Sequence, residues 1–125
     1  MANVGQRVER RRHKRFQALN GAFVGLGPYS LKLGQIVNMS MGGLAFRYIG
    51  SHKPSRMKTE SKIFIDNAFC VDHVPLETVS DCEARQGPFA SLTMRQSGVQ
   101  FGQLTHEQKS QLEHFISKYT ASAMG

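Results

Sequence analysis

LGQIVNMSMGGLAFRYI, residues 33 to 49, governs how the rest of the chain is read. Two apolar runs, LGQIV (33–37) and GLAFRYI (43–49), flank the polar, glycine-containing connection NMSMGG (38–43). Runs of this length, rich in Ile, Val, Phe and Tyr and bounded by turn residues, are strand signals. In the connection, Asn38 and Ser40 share one side of the chain by the two-residue alternation of a strand. Gly42 and Gly43 let the backbone turn and approach a ligand with no Cβ in the way. The same residues also suit a plain hairpin turn in which Asn and Ser bond their own backbone.

Working outward, the pattern continues as AFVGL (22–26), KIFIDNAF (62–69), PLETVSDCEAR (75–85), FASLTMR (89–95) and GVQF (98–101). Strand-length runs spaced about every ten residues predict an antiparallel sheet closed into a barrel or sandwich. The segment SHKPSRMKTES (51–61) reads as a solvated loop. The C-terminal segment differs in kind. Leu112, Phe115, Ile116 and Tyr119 fall at i, i+3, i+4 and i+7, the apolar stripe of a helix, with Gln108, Lys109, Gln111, Glu113 and Lys118 facing away. Thr105 with Gln108 three residues later forms a capping box, so the helix is expected over about 105–120, fraying near Ala121. At 125 residues the chain has room for one domain, expected over 10–120, with residues 1–9 as a polar, mobile lead-in.

The formal charge of +7 is unevenly placed. RRRHKRF (10–16) dominates it, and the first twenty residues hold six Arg or Lys against Glu9 alone. A field focused on one arm suits an anionic partner that docks there, although a solubilising tail would have the same composition. Arg11 and Arg15, four apart, lie on the same side in a helix or an extended chain and can converge on one ligand. Guanidinium groups grip phosphate or the O6/N7 edge of guanine with paired donors. Arg10 can add a third contact.

Other chemistry finds little support. No run reaches the length of a membrane span and no signal-peptide core opens the chain, so a cytoplasmic location is expected. Cys70 and Cys82 are then expected to be reduced, buried core groups, and Asn38-Met39-Ser40 to be no glycosylation acceptor. Cys70, His73 and Cys82 lack the second close ligand pair of a zinc site, so no metal is expected. His13, His106 and His114 join no constellation, and Ser40 lacks the GxSxG context of a nucleophile. Asp66, Asp72 and Asp81 have no evident partner, and Gly25-Leu26-Gly27 is too short for a dinucleotide fingerprint. No enzyme is expected.

The basic RRxxxR arm, followed by NxSxxG and then GLAFRYI, resembles the PilZ domain family, receptors for the bacterial second messenger cyclic di-GMP. GVQFG and the helix with TxEQxxQLExFI add to the likeness, which runs from Glu9 to Tyr119. The resemblance implies a six-stranded antiparallel β-barrel with a C-terminal helix. It implies that Arg11 and Arg15 hold guanine and phosphate, and that Asn38, Ser40 and Gly43, with Gly42 beside them, surround a guanine. Arg10, just before RxxxR, implies an intercalated pair of dinucleotides. No cofactor beyond this ligand is implied. Asn38 stands where some members carry Asp, so its bond to guanine N–H groups lacks charge assistance, weakening binding by about 1 kcal/mol. Ordering the arm over the ligand would present a new surface to a downstream protein. Two rival readings are a nucleic-acid-binding barrel, disfavoured because only Phe16 interleaves the arm, and a PilZ-like scaffold that binds no nucleotide.

Overall fold

The computed structural model describes residues 14–27, 32–50, 56–66, 68–86 and 93–124. The lead-in at 1–9, Arg10, Arg11 and His13 lie outside them. Among these residues, eight strands and one helix follow in the order β1 (Arg15–Ala18), β2 (Ala22–Leu26), β3 (Lys32–Met39), β4 (Gly43–Gly50), β5 (Lys58–Ile65), β6 (Phe69–Gln86), β7 (Thr93–Phe101), α1 (His106–Tyr119) and β8 (Thr120–Met124).

Neighbours in the sheet run β2-β5-β6-β7-β4-β3, and β2 also pairs β3, so six antiparallel strands close on themselves. Closure removes the open edges that a sheet of this length would expose. Outside the ring, β1 pairs β3 and β8 pairs β1. This is the expected six-stranded barrel, with a short two-stranded extension that periodicity did not reveal.

Alternation along the strands separates the inside from the outside. In β4, Leu44, Phe46 and Tyr48 point into the core cluster, while Arg47 and Ile49 are exposed. Leu112, Phe115 and Ile116 of α1 join the same cluster as Val24, Ile36 and Val71 of the barrel, so the helix completes the core. Its N-cap is Thr105, whose hydroxyl accepts from the Gln108 amide while the Gln108 side chain accepts from the Thr105 N–H. The remaining Gln108 donor, Nε2, reaches the carbonyls of Asp72 and His73 at 3.1 and 2.7 Å, which explains why this residue is buried rather than facing away. No described helix is long and apolar enough to cross a membrane.

Several boundaries differ from expectation. KIFIDNAF is two strands, because Asp66 takes a left-handed conformation (φ 46°) and turns the chain between β5 and β6. TMR (93–95) and GVQF (98–101) are parts of one strand, β7, since Gln96 and Ser97 continue the ladder opposite Arg47 and Phe46. Lys58–Ser61 belong to β5 rather than to a solvated loop, their register against β6 set by Leu76 opposite Thr59. The chain beyond Tyr119 does not fray but turns extended at Thr120 and pairs with β1. Cys70 is half-buried and Cys82 exposed, both free thiols, because their positions on β6 face outward rather than into the core.

Asp81 has partners after all. Its carboxylate accepts from Arg95 Nε at 2.5 Å and from the Tyr48 hydroxyl. Arg95 and Asp81 side chains are 3% and 2% exposed, an ion pair enclosed within the barrel wall. Burial, then the bond and charge of Asp81, push the Tyr48 hydroxyl up from 10.0 to about 12. The native state therefore keeps this proton where the unfolded chain loses it. The resulting stabilisation is complete below pH 10.0 and is lost as the pH rises through about 12. Tyr48→Phe is expected to be less stable at neutral pH and to show a shallower loss of stability from pH 10 to pH 12, measured by urea unfolding across that range. Parallel curves for the two proteins would contradict this assignment.

Candidate functional site

The site is assembled at one end of the barrel by three strands. β1 lies antiparallel on β3 with Phe16 opposite Met39 and Gln17 opposite Asn38. Phe16 turns inward onto the core, so it anchors the strand and is not presented for base stacking. By alternation Arg15 and Gln17 then face outward. Arg15 Nη1 donates to Asn38 Oδ1 at 2.8 Å. Arg15 of the arm and Asn38 of the NxSxxG turn thus meet on one outer face.

The turn itself is built by short polar bonds. Ser40 N donates to the Gly43 carbonyl at 2.8 Å, and Ser40 Oγ accepts from Gly42 N at 3.1 Å. Ser40 is only 3% exposed, and its hydroxyl is committed to holding the turn. Gly42 carbonyl accepts from Phe101 N at 2.9 Å, tying the turn to β7. Gly43 is demanded by packing: a Cβ there would stand 2.1 Å from the Val99 carbonyl oxygen. A side chain at 43 would have to push β4 off β7.

Of the residues singled out in the sequence, Arg15, Asn38, Ser40, Gly42 and Gly43 come together, whereas Arg10 and Arg11 lie outside the described residues. Cys70, His73 and Cys82 form no metal-holding group, and none of three or more ligating side chains exists among the described residues. His73 instead faces Glu60, with Nδ1 and Oε1 at 3.1 Å. Toward α1 the turn borders an open groove of about 590 Å³ lined by Met41, Gly42, Phe101, Gly102, Leu104 and Lys109, among others.

Sequence reading did not reach the outer-face row beside Asn38. Asn38 pairs with Ala45, Ala45 with Gly98 and Gly98 with Ser80 across four strands. Beyond Asn38 the side chains of this row, Ala45, Gly98 and Ser80, are all small. Only the cross-strand register brings them together, and no spacing within the chain signals it.

The chain matches the family described as PilZ domain over residues 9–118. No curated protein matches it in sequence. Among solved structures, the PilZ domain with c-di-GMP of YcgR from Escherichia coli is similar, with a TM-score of 0.67 and 16% identity over 88% of this chain and 91% of that one. MrkH, described as a c-di-GMP dependence transcription regulatory factor, is similar with a TM-score of 0.61 and 15% identity, over 86% of this chain. The match spans 49% of MrkH and 45% of a longer YcgR structure in complex with c-di-GMP, so this chain corresponds to about half of those proteins. At such identities the structural likeness speaks for the fold alone, whereas the family match spans most of the sequence. The chain, a closed six-stranded barrel in which Arg15 meets Asn38 of an NxSxxG turn, belongs to the PilZ domain family.

Proposed function

We propose that this protein is a non-enzymatic, cytoplasmic receptor for cyclic di-GMP, which it binds between its basic arm and the turn at 38–43. The observation that carries the reading is the 2.8 Å bond between Arg15 Nη1 and Asn38 Oδ1, which joins the two motifs on one face. The solved structures of PilZ proteins with c-di-GMP, similar in fold, support the choice of ligand.

The chemistry suits a cyclic dinucleotide. Each guanine offers an acceptor edge at O6 and N7 to an arginine, and N–H groups on its opposite edge to the Asn38 oxygen. Each phosphate carries one negative charge for the remaining guanidinium donors. In this reading the ligand replaces the Arg15–Asn38 bond: Arg15 exchanges a neutral amide oxygen for phosphate or guanine acceptors, and the Asn38 oxygen exchanges the guanidinium for guanine N–H donors. Arg10 and Arg11 add contacts from the arm, and Arg10 favours an intercalated pair of dinucleotides. Residues 10–120 form the binding unit. Closure of the arm over the ligand alters the surface at this end of the barrel and relays binding to a downstream protein.

Calorimetric titration with cyclic di-GMP, with GTP and a short RNA as controls, tests the reading. Saturable binding of cyclic di-GMP alone, at two molecules per chain, is expected. Tight RNA binding that falls steeply with salt and ignores the dinucleotide would establish a nucleic-acid binder instead.

A further inference from the structure

The outer face beside the turn has a far side that neither motif covers. In β4 and β7 the outward positions pair as Ala45 with Gly98, then Arg47 with Gln96. Ala45 is 8% exposed yet stands apart from the core cluster, a methyl set low between its neighbours on the outer surface. Gly98 adds no side chain, and a Cβ there would stand 2.7 Å from Ser80 Oγ. Together they form a row of small residues between Asn38 on one side and Ser80 on the other, and Arg47 with Gln96 form the next row along the strands.

Arg47 is poised rather than spent. It is exposed, and its Nε donates to Gln96 Oε1 at 3.2 Å. Among the described residues that bond is the one hydrogen bond it makes. Because the bond to Gln96 uses Nε, the two terminal nitrogens remain as a fork of donors, the arrangement that grips a planar acceptor pair. Two residues along a strand span about 7 Å, so Arg47 stands one row beyond Ala45 and Gly98, within reach of a base lying on them.

We infer that Arg47 is a third ligand-binding arginine, which reads the O6/N7 edge of a guanine lying on the Ala45–Gly98 floor, with Gln96 as its positioning residue. The inference rests on the cyclic di-GMP reading given above and extends it to residues outside both motifs. It assigns a reason for a bare floor on two adjacent strands, since a larger side chain at either position would occupy the place of the base. It also assigns a reason for the outward Arg47–Gln96 pair, which does nothing for the core.

Calorimetry on the parent, Arg47→Ala, Arg47→Lys, Gln96→Ala and Lys118→Ala tests it, each protein titrated with cyclic di-GMP and with cyclic di-AMP. Lys118 is an exposed cation of α1 and controls for charge alone. Arg47→Ala is expected to weaken cyclic di-GMP binding about tenfold or more, as the loss of a charge-assisted bond should. Arg47→Lys restores only part of it, because an ammonium cannot supply the parallel pair. Adenine carries a donor where guanine carries O6, so Arg47→Ala should also narrow the preference for cyclic di-GMP over cyclic di-AMP. Gln96→Ala should give a smaller loss, and Lys118→Ala none. If the parent binds cyclic di-GMP and Arg47→Ala binds it equally well, or if Lys118→Ala weakens binding as much as Arg47→Ala, this inference is overturned and the receptor reading stands. If the parent binds no cyclic di-GMP, both fall.

Discussion

Arg15→Ala is expected to abolish measurable binding of cyclic di-GMP while moving the thermal midpoint by no more than about 3 °C. The two halves of this expectation have separate causes. Arg15 stands at the start of β1, outside the core cluster, and the strand is anchored instead by Phe16 and Ala18, which pack against that core. Removing the guanidinium therefore takes little from the fold. Binding is another matter, because in the proposed complex Arg15 exchanges its bond with Asn38 for bonds to an anion or a guanine edge. Charge-assisted bonds contribute about 1.5–3 kcal/mol each, so losing a bidentate pair costs at least two orders of magnitude in affinity. Arg11→Ala should act in the same direction. Calorimetry for binding and differential scanning fluorimetry for the fold measure the two halves independently. Unchanged affinity in both variants would refute the role given to the arm.

Asp81→Asn is expected to be the most damaging single change, lowering the thermal midpoint by roughly 10 °C or more. The Arg95 guanidinium is 3% exposed and is paired with the Asp81 carboxylate. That partnership also holds Arg95 protonated beyond its ordinary range, the hydrogen bond to Asp81 being the main cause. An amide at position 81 keeps the shape but removes the carboxylate charge that lies against a cation enclosed in the barrel wall. Arg95 cannot escape by losing its proton. Replacing both members, as Asp81→Leu with Arg95→Met, should recover a substantial part of the loss, because neither charge then remains. Thermal unfolding of the two variants decides the matter. An Asp81→Asn protein as stable as the parent would show that the pair contributes nothing.

Much of the barrel was legible because its strands carry a local signal. AFVGL coincides with β2, and GLAFRYI with β4 up to its last residue, since apolar runs flanked by Gly and Asn define strand ends directly. Thr105 and Gln108 announced the helix start through a reciprocal pair of hydrogen bonds that needs only their spacing. The misreadings share a physical origin. β6 runs without interruption from Phe69 to Gln86, and a strand of 18 residues that alternates, bulges and carries charge along its exposed side does not look like one element in sequence. β8 is held by pairing with β1, a contact between distant parts of the chain.

The candidate site divides in the same way. Asn38, Ser40 and Gly43 were visible as a motif because turn chemistry is local. The Ala45–Gly98 floor and the Arg47–Gln96 pair were not, because register alone joins β4 to β7. Asp81 was read as partnerless for the same reason: Tyr48 and Arg95 lie on two other strands, and only the side-by-side pairing of β6, β7 and β4 brings them to it.

The central claim is that the ligand occupies the outer face where Arg15 meets Asn38. Two-dimensional amide NMR of the labelled protein, with and without cyclic di-GMP, tests it most directly. The account predicts that the largest shifts fall on Asn38, Gly42, Gly43, Ala45 and Gly98, with the exposed face of α1, at Lys109, Glu113 and Lys118, nearly unmoved. Shifts concentrated on that helix face, or spread over the strand ends near Leu33 and Met94 with the turn at 38–43 silent, would contradict it.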